Sequence, residues 1–138
     1  GAGYIGCVLT QQLLESGCNV TVFDNLIHKQ SAILQNCGNP NFKFLLGDVR
    51  DQPLYKKAIA NADVIINLAA YVGMPICNRF PLEAKQVNQD SSEFLAKTAS
   101  GDQLVIMITT NSGYGLGQHV DGKAVCRAST GRRSLHGG

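Results

Sequence analysis

The sequence has no tryptophan, only two methionines, and no apolar run of the roughly 20 residues that cross a bilayer. Its start also lacks the basic-plus-apolar pattern of a secretory signal peptide. Charged residues make up 16% of the 138 residues and hydrophobic residues 44%. This balance excludes an intrinsically disordered chain, and the length suits one domain with its own core. We therefore expect a globular protein that neither spans nor anchors in a membrane.

The sequence also lacks cysteine pairs at the spacing of metal ligands. Its five cysteines are scattered and odd in number (Cys7, Cys18, Cys37, Cys77 and Cys126). A small secreted scaffold would show an even set in a short, cysteine-dense chain. We therefore predict reduced thiols, a cytoplasmic protein and no metal site.

Excess positive charge is concentrated near the end of the chain, and the rest of the chain is almost neutral. The net charge is +2, but residues 118–138 alone carry +3, from four bases against one acid. A basic tail can bind nucleic acid, yet this one has no aromatic residue on which a base could stack. Nucleic acid is therefore not an expected partner.

The chain alternates strand-like and helix-like segments, which is typical of a parallel sheet covered by helices. The predicted strands are 19–23, 42–46, 62–70 and 103–109. Helices are predicted from about residue 5 up to Gly17, and over 26–37, 51–60 and 82–100. From Gly117 onward the periodicity is lost, so we assign 1–117 to a single α/β domain and 118–138 to a divergent or disordered tail.

The first chemical signal is Gly1-Ala2-Gly3-Tyr4-Ile5-Gly6, a G-x-G-x-x-G pattern that opens a helix. Glycine allows a tight turn and lets a pyrophosphate approach the backbone, while the helix N-terminus offers unpaired N–H groups. A plain glycine-rich turn would give the same letters. In a doubly wound sheet a central strand precedes this turn. We therefore expect the sequence to be part of a longer protein.

Asp24 is the second signal, because it ends a predicted strand 18 residues after Gly6. A carboxylate there can accept hydrogen bonds from both ribose hydroxyls of adenosine, and it repels a 2′-phosphate. This favours NAD over NADP as the cofactor. A turn aspartate or helix cap is the alternative interpretation.

Taken together, GAGYIG, VFDNL, GDVRD, NLAA and TTNSGYG resemble the extended short-chain dehydrogenase/reductases, and among them the nucleotide-sugar epimerase/dehydratase group. The resemblance covers residues 1 to about 117. It implies a Rossmann-type doubly wound parallel sheet that is incomplete here, with its first strand and its C-terminal part outside this sequence. It also implies NAD as cofactor, a nucleotide-sugar substrate and a homodimeric parent enzyme.

The resemblance assigns roles to individual residues. It assigns the glycine turn to Gly3, Tyr4, Ile5 and Gly6, and the contact with the adenosine ribose to Asp24 with Asn25. The pair that contacts adenine corresponds to Asp48 and Val49, and the segment beneath the nicotinamide ribose to Leu68, Ala69 and Ala70. Asn88 corresponds to a helix residue near the cofactor. Thr110 corresponds to the family's catalytic Ser/Thr, whose hydroxyl binds the reacting substrate oxygen. Turn, strand-end or surface roles are the alternatives for Asp48, Thr110 and Asn88.

Two departures from the family pattern limit the functional prediction. The dehydratase branch has Asp-Glu where this chain has Asn111-Ser112, which favours an epimerase or a reductase. The family's Tyr-x-x-x-Lys pair is absent, and His136 stands near the place expected for its tyrosine. We therefore expect the NAD-binding part of an epimerase-like enzyme, inactive by itself. A non-catalytic NAD-binding regulator and an NADP-dependent reductase remain as alternatives.

Overall fold

The computed structural model describes residues 1–29, 31–108, 119–120 and 123–124. The described residues up to Met107 form one compact unit, and the described residues from Ile108 onward belong to a second. The α-helices of the first unit are α1 (Tyr4–Glu15), α2 (Gln52–Ile59), α3 (Met74–Arg79), α4 (Pro81–Lys85) and α5 (Ser91–Thr98). Its strands are β1 (Val20–Asp24), β2 (Phe42–Leu46), β3 (Val64–Asn67) and β4 (Leu104–Met107).

The strands pair in parallel, as the alternation of elements predicts. Strand β1 pairs with β2, with Val20 opposite Phe42 and Asp24 opposite Leu46. Strand β3 pairs with β4, with Val64 opposite Leu104. No ladder joins the two pairs among the residues described. The α/β prediction is confirmed, and all four predicted strands are present within two or three residues of their expected ends.

The core of the first unit consists of two apolar clusters. The larger contains Tyr55, Ile59, Ile65 and Leu95, and Leu95 is fully buried. The Tyr55 ring stacks on Phe23 of β1 at 5.7 Å between centroids. The smaller cluster contains Ala2, Val22 and Ile33. Since successive side chains of a strand point to opposite faces, Val22 and Phe23 let β1 contribute to both clusters.

Local sequence signals account for the ends of α1 and α2. Gly17 has φ +81°, a left-handed conformation that ends α1 and that L side chains rarely adopt. Asp51 caps α2 by accepting a hydrogen bond from the Leu54 N–H at 3.1 Å, and Pro53 occupies the first turn of that helix.

The helix predicted over 26–37 is wrong for most of its length. Among the described residues of this range, only a short 3₁₀ helix, Ala32–Asn36, forms. Before it, the Leu26 N–H bonds to the Asp24 side chain and the Ile27 N–H to that of Asn25. These bonds compete with helical ones, and Leu26 and Lys29 take positive φ angles.

The helix predicted over 82–100 is present with an irregular centre. Between α4 and α5 the chain makes a π-helical turn, Gln86–Asp90. Helix α3 was not predicted, because its six residues lie in a segment that begins with Gly73 and Pro75. In the second unit, where no strand is predicted, His119–Val120 (β5) and Lys123–Ala124 (β6) form an antiparallel ladder.

Candidate functional site

A cleft of about 430 Å³ lies where β1, β2 and β3 end. Its walls come from the glycine turn before α1, from the loops that follow β1, β2 and β3, and from parts of the α3 and π-helical segments. Eleven of the twelve residues predicted to bind the cofactor line this cleft: Gly3, Tyr4, Ile5, Gly6, Asp24, Asn25, Asp48, Val49, Leu68, Ala69 and Ala70. Ligands of open α/β sheets bind outside the carboxyl ends of the strands, which is the position of this cleft.

The glycine turn packs so closely that one of its glycines cannot carry a side chain. A Cβ added to Gly6 would lie 1.6 Å from the carbonyl oxygen of Gly1. Gly3 is the N-cap of α1, and no side chain caps that helix end. The first N–H groups of α1 are therefore available to an anion placed in the cleft.

Asp24 lies at the end of β1 and bonds backbone groups of the glycine turn and of the loop that follows β1. Its Oδ2 accepts hydrogen bonds from the Gly1 amino group at 2.9 Å and from the Ala2 N–H at 2.8 Å. Its Oδ1 accepts one from the Leu26 N–H at 2.7 Å. Burial raises the pKa of the Asp24 carboxyl, but these bonds outweigh it, so that the pKa lies below its usual value. The carboxylate is therefore ionised at neutral pH.

Asp48 follows β2 and is bonded at both of its carboxylate oxygens. Oδ1 accepts hydrogen bonds from the Arg50 backbone N–H at 2.9 Å and its Nε at 2.8 Å. Oδ2 accepts from Arg50 Nη2 at 2.7 Å and from Asn25 Nδ2 at 2.9 Å. The Arg50 side-chain bonds, more than any other contact, hold the pKa of the Asp48 carboxyl well below its usual range. The bond from Asn25 joins the loop after β2 to the loop after β1.

Asn88 does not line the cleft, but it fixes a residue that does. Its Oδ1 accepts a hydrogen bond from the Tyr71 N–H at 2.7 Å, and its Nδ2 donates one to the Tyr71 carbonyl at 2.9 Å. Asn88 lies in the π-helical turn. It thereby holds the loop that contains the cleft residues Leu68, Ala69 and Ala70.

Thr110 lies outside the described residues, so its position relative to the cleft stays a prediction. Within the described part of the chain, no group of three or more His, Cys, Asp or Glu side chains could hold a metal ion. The cysteines at 7, 18, 37 and 77 are free thiols. No described helix is both long and apolar enough to cross a membrane.

Sequence reasoning missed Arg50, Tyr71, His28 and Ile76, which also line the cleft. The position of Arg50 two residues after Asp48 was a usable signal, because a loop carboxylate often bonds the backbone two residues on. Tyr71 and Ile76 gave none, since their approach to the cleft depends on Asn88 and on the unpredicted α3.

Comparison with known proteins agrees with this geometry. The profile of the NAD dependent epimerase/dehydratase family matches residues 1–134. The chain is 27% identical over 118 residues to a UDP-glucose 4-epimerase of Rickettsia conorii, covering 80% of this chain and 35% of that protein. It is 27% identical over 118 residues to a UDP-N-acetyl-alpha-D-glucosaminuronate decarboxylase of Bacillus cytotoxicus, covering 85% and 36%.

Among solved structures, the chain is similar to a UDP-glucuronic acid 4-epimerase from Bacillus cereus in complex with UDP-glucuronic acid and NAD. The TM-score is 0.73 at 27% identity, over 86% of this chain and 40% of that one. The Rossmann-type prediction is therefore confirmed. The chain spans only about a third of the length of the curated relatives that it matches.

Proposed function

The chain belongs to the NAD dependent epimerase/dehydratase family, and on that premise we propose that its cleft binds NAD for chemistry on a nucleotide sugar. One observation carries the proposal: the glycine turn, Asp24 and Asp48 face one cleft at the carboxyl ends of parallel strands. The cofactor supplies a site that takes up and returns hydride. The residues of this chain bind and orient it.

The pyrophosphate is assigned to the N-terminus of α1. Its first N–H groups lack a side-chain cap, and the helix dipole favours an anion there. Gly6 keeps the turn tight, because any side chain would strike the Gly1 carbonyl.

The adenosine ribose is assigned to Asp24. A carboxylate offers about four acceptor positions, and three of those on Asp24 are used within the chain. Its Oδ1 therefore keeps one position for a ribose hydroxyl. An aspartate is ionised at neutral pH, and its negative charge opposes the 2′-phosphate of NADP.

Adenine is assigned to Asp48 and Val49. All four acceptor positions of Asp48 are occupied, by Arg50 and Asn25. An adenine amino group can bond this carboxylate only if one of these partners moves. Because the Arg50 side chain is 37% exposed, it can exchange its bonds to Asp48 for bonds to water.

The test of cofactor choice is calorimetric titration of the protein with NAD and with NADP. We expect NAD to bind at least about tenfold more tightly, which is about 1.4 kcal/mol. Equal or tighter binding of NADP would end the NAD assignment and favour the reductase alternative.

Catalysis is proposed to need more than residues 1–138. A Ser/Thr hydroxyl such as that of Thr110 can orient a substrate oxygen, but it is a poor base at neutral pH. The family's Tyr-x-x-x-Lys does not occur in this sequence. We expect no epimerised product and no NADH when the 138 residues are incubated with NAD and UDP-, GDP- or dTDP-sugars. Turnover that disappears in His136→Ala would make that histidine the base and refute this part of the proposal.

A further inference from the structure

The Asp24 carboxylate has a second task that a ribose contact does not explain. Its bond to the Ala2 N–H joins residues 22 positions apart and measures 2.8 Å. Ala2 is 1% exposed and lies in the smaller core cluster. This bond links a main-chain amide to a side chain, so it does not depend on the charge of the neighbouring Gly1 amino group. It ties the start of the glycine turn to the end of β1.

The turn has little freedom on its other sides. A Cβ on Gly1 would lie 2.5 Å from Val22 Cγ1 and 2.9 Å from the Phe23 carbonyl oxygen. The Gly1 carbonyl in turn packs against Gly6 of α1. The turn is therefore held between strand and helix, and the Asp24 carboxylate provides the polar contact of that arrangement.

We propose that Asp24 is a positioning residue for the phosphate-binding turn, in addition to contacting the ribose. Through Ala2 it holds the turn against β1, so that the first N–H groups of α1 face the cleft before any nucleotide arrives. The inference rests on the proposed binding of a dinucleotide in this cleft. It gives Asp24 a second role at the pyrophosphate-binding turn, in addition to its contact with the adenosine ribose.

Asp24 is therefore a poor position at which to switch the cofactor. A substitution that removes the carboxylate removes the repulsion of a 2′-phosphate, and it also releases the turn that binds the pyrophosphate. Binding of NAD and NADP should both weaken, although the ratio between them narrows.

The test separates the two tasks by removing the ribose hydroxyls from the ligand. ADP and 2′,3′-dideoxy-ADP are titrated by calorimetry into the protein and into its Asp24→Ala variant. Alanine removes both acceptor oxygens, whereas asparagine would keep a carbonyl oxygen that can still accept a bond from the Ala2 N–H. We expect the variant to bind both ligands about tenfold more weakly, because each relies on the same turn. A matched Asp102→Ala variant, which changes an exposed aspartate outside the cleft, should bind both as the parent does.

Weaker binding of ADP with unchanged binding of dideoxy-ADP would show that Asp24 acts through the ribose alone, and would overturn the inference. Hydrogen exchange without ligand tests it independently of any binding. The Ala2 amide should exchange at least about tenfold faster in Asp24→Ala than in Asp102→Ala. Equal rates would also overturn it.

If neither ligand binds the parent, the proposed function fails, while the exchange rates still decide the positioning role. If Asp24→Ala does not fold, Asp24→Glu replaces it, because one added methylene displaces the carboxylate from the Ala2 N–H. Parent-like binding of dideoxy-ADP by that variant would count against the inference, and weaker binding would support it.

Discussion

Gly6→Ala should lower both the stability of the chain and its affinity for a nucleotide. The added methyl carbon would lie 1.6 Å from the Gly1 carbonyl oxygen and 2.6 Å from its carbon. Side-chain Cβ atoms essentially never approach other atoms within 3.0 Å, so the turn must open by about 1.4 Å. The obstacle is backbone, which cannot rotate away as a flexible side chain would.

Two effects of opposite sign decide the size of the change. Alanine favours a helix over glycine by about 1 kcal/mol, and Gly6 lies within α1. Overpacking of a close contact costs about 1–3 kcal/mol, and an overlap with backbone falls at the upper end. The overlap therefore wins, and we expect a net loss of about 2 kcal/mol in the free energy of unfolding. Opening the turn also moves the N–H groups of α1, so NAD should bind at least about tenfold more weakly.

Urea denaturation measures the stability and calorimetry the affinity. Gly101→Ala is the matched control, because nothing lies within 4 Å of the place that its methyl carbon would take and its φ is not left-handed. That variant should stay within about 0.5 kcal/mol of the parent. A Gly6→Ala protein that unfolds and binds NAD like the control would refute the close packing of the turn.

Three further outcomes follow from the packing and the ion pairs. Leu95→Ala removes a fully buried side chain of the larger cluster and should lower the free energy of unfolding, measured by urea denaturation, by about 2–5 kcal/mol. A loss below about 1 kcal/mol would contradict the burial of this side chain. Gln103→Ala removes the Nε2 group that donates to the backbone carbonyls of Ile59 at 2.7 Å and Ala62 at 2.6 Å, and it should cost about 1–3 kcal/mol of unfolding free energy by the same assay. No change would mean that water fully replaces this donor. Because the Asp48 pKa is lowered in the fold, its pairing stabilises the chain above the unfolded pKa of about 3.9 and is lost as the pH falls towards the folded pKa. Arg50→Gln should therefore lower the urea midpoint at pH 7 and have less effect at pH 3, and an equal effect at both would exclude the ion pair as the cause.

The sequence predicted the regular elements whose signals are local. Strand β2 matches its prediction at both ends, and Gly17 marks the end of α1 as expected. The failure over 26–37 has a local cause as well, since side-chain oxygens of Asp24 and Asn25 capture backbone N–H groups. Apolar periodicity does not register that competition.

The candidate site was predictable where a motif fixed both residue type and position. The glycine turn, Asp24 and Asp48 all reach the cleft. What their carboxylates bond to was not predictable, because the Ala2 and Asn25 donors come from other loops. The hydrogen bonds between Asn88 and Tyr71 join residues 17 positions apart in the sequence, and no pattern within the helix predicts them.

The π-helical turn Gln86–Asp90 has a consequence for insertions and deletions. A π turn accommodates one residue more than the α-helical turn that it replaces. Loss of one residue from this segment would let α4 and α5 merge into a regular helix at little cost to the helix itself. It would also rotate everything on one side by about 100° relative to the other. Either Asn88 would then face away from Tyr71, or α5 would face away from the core. We therefore expect a one-residue deletion in this segment to be tolerated less well than most substitutions of its side chains.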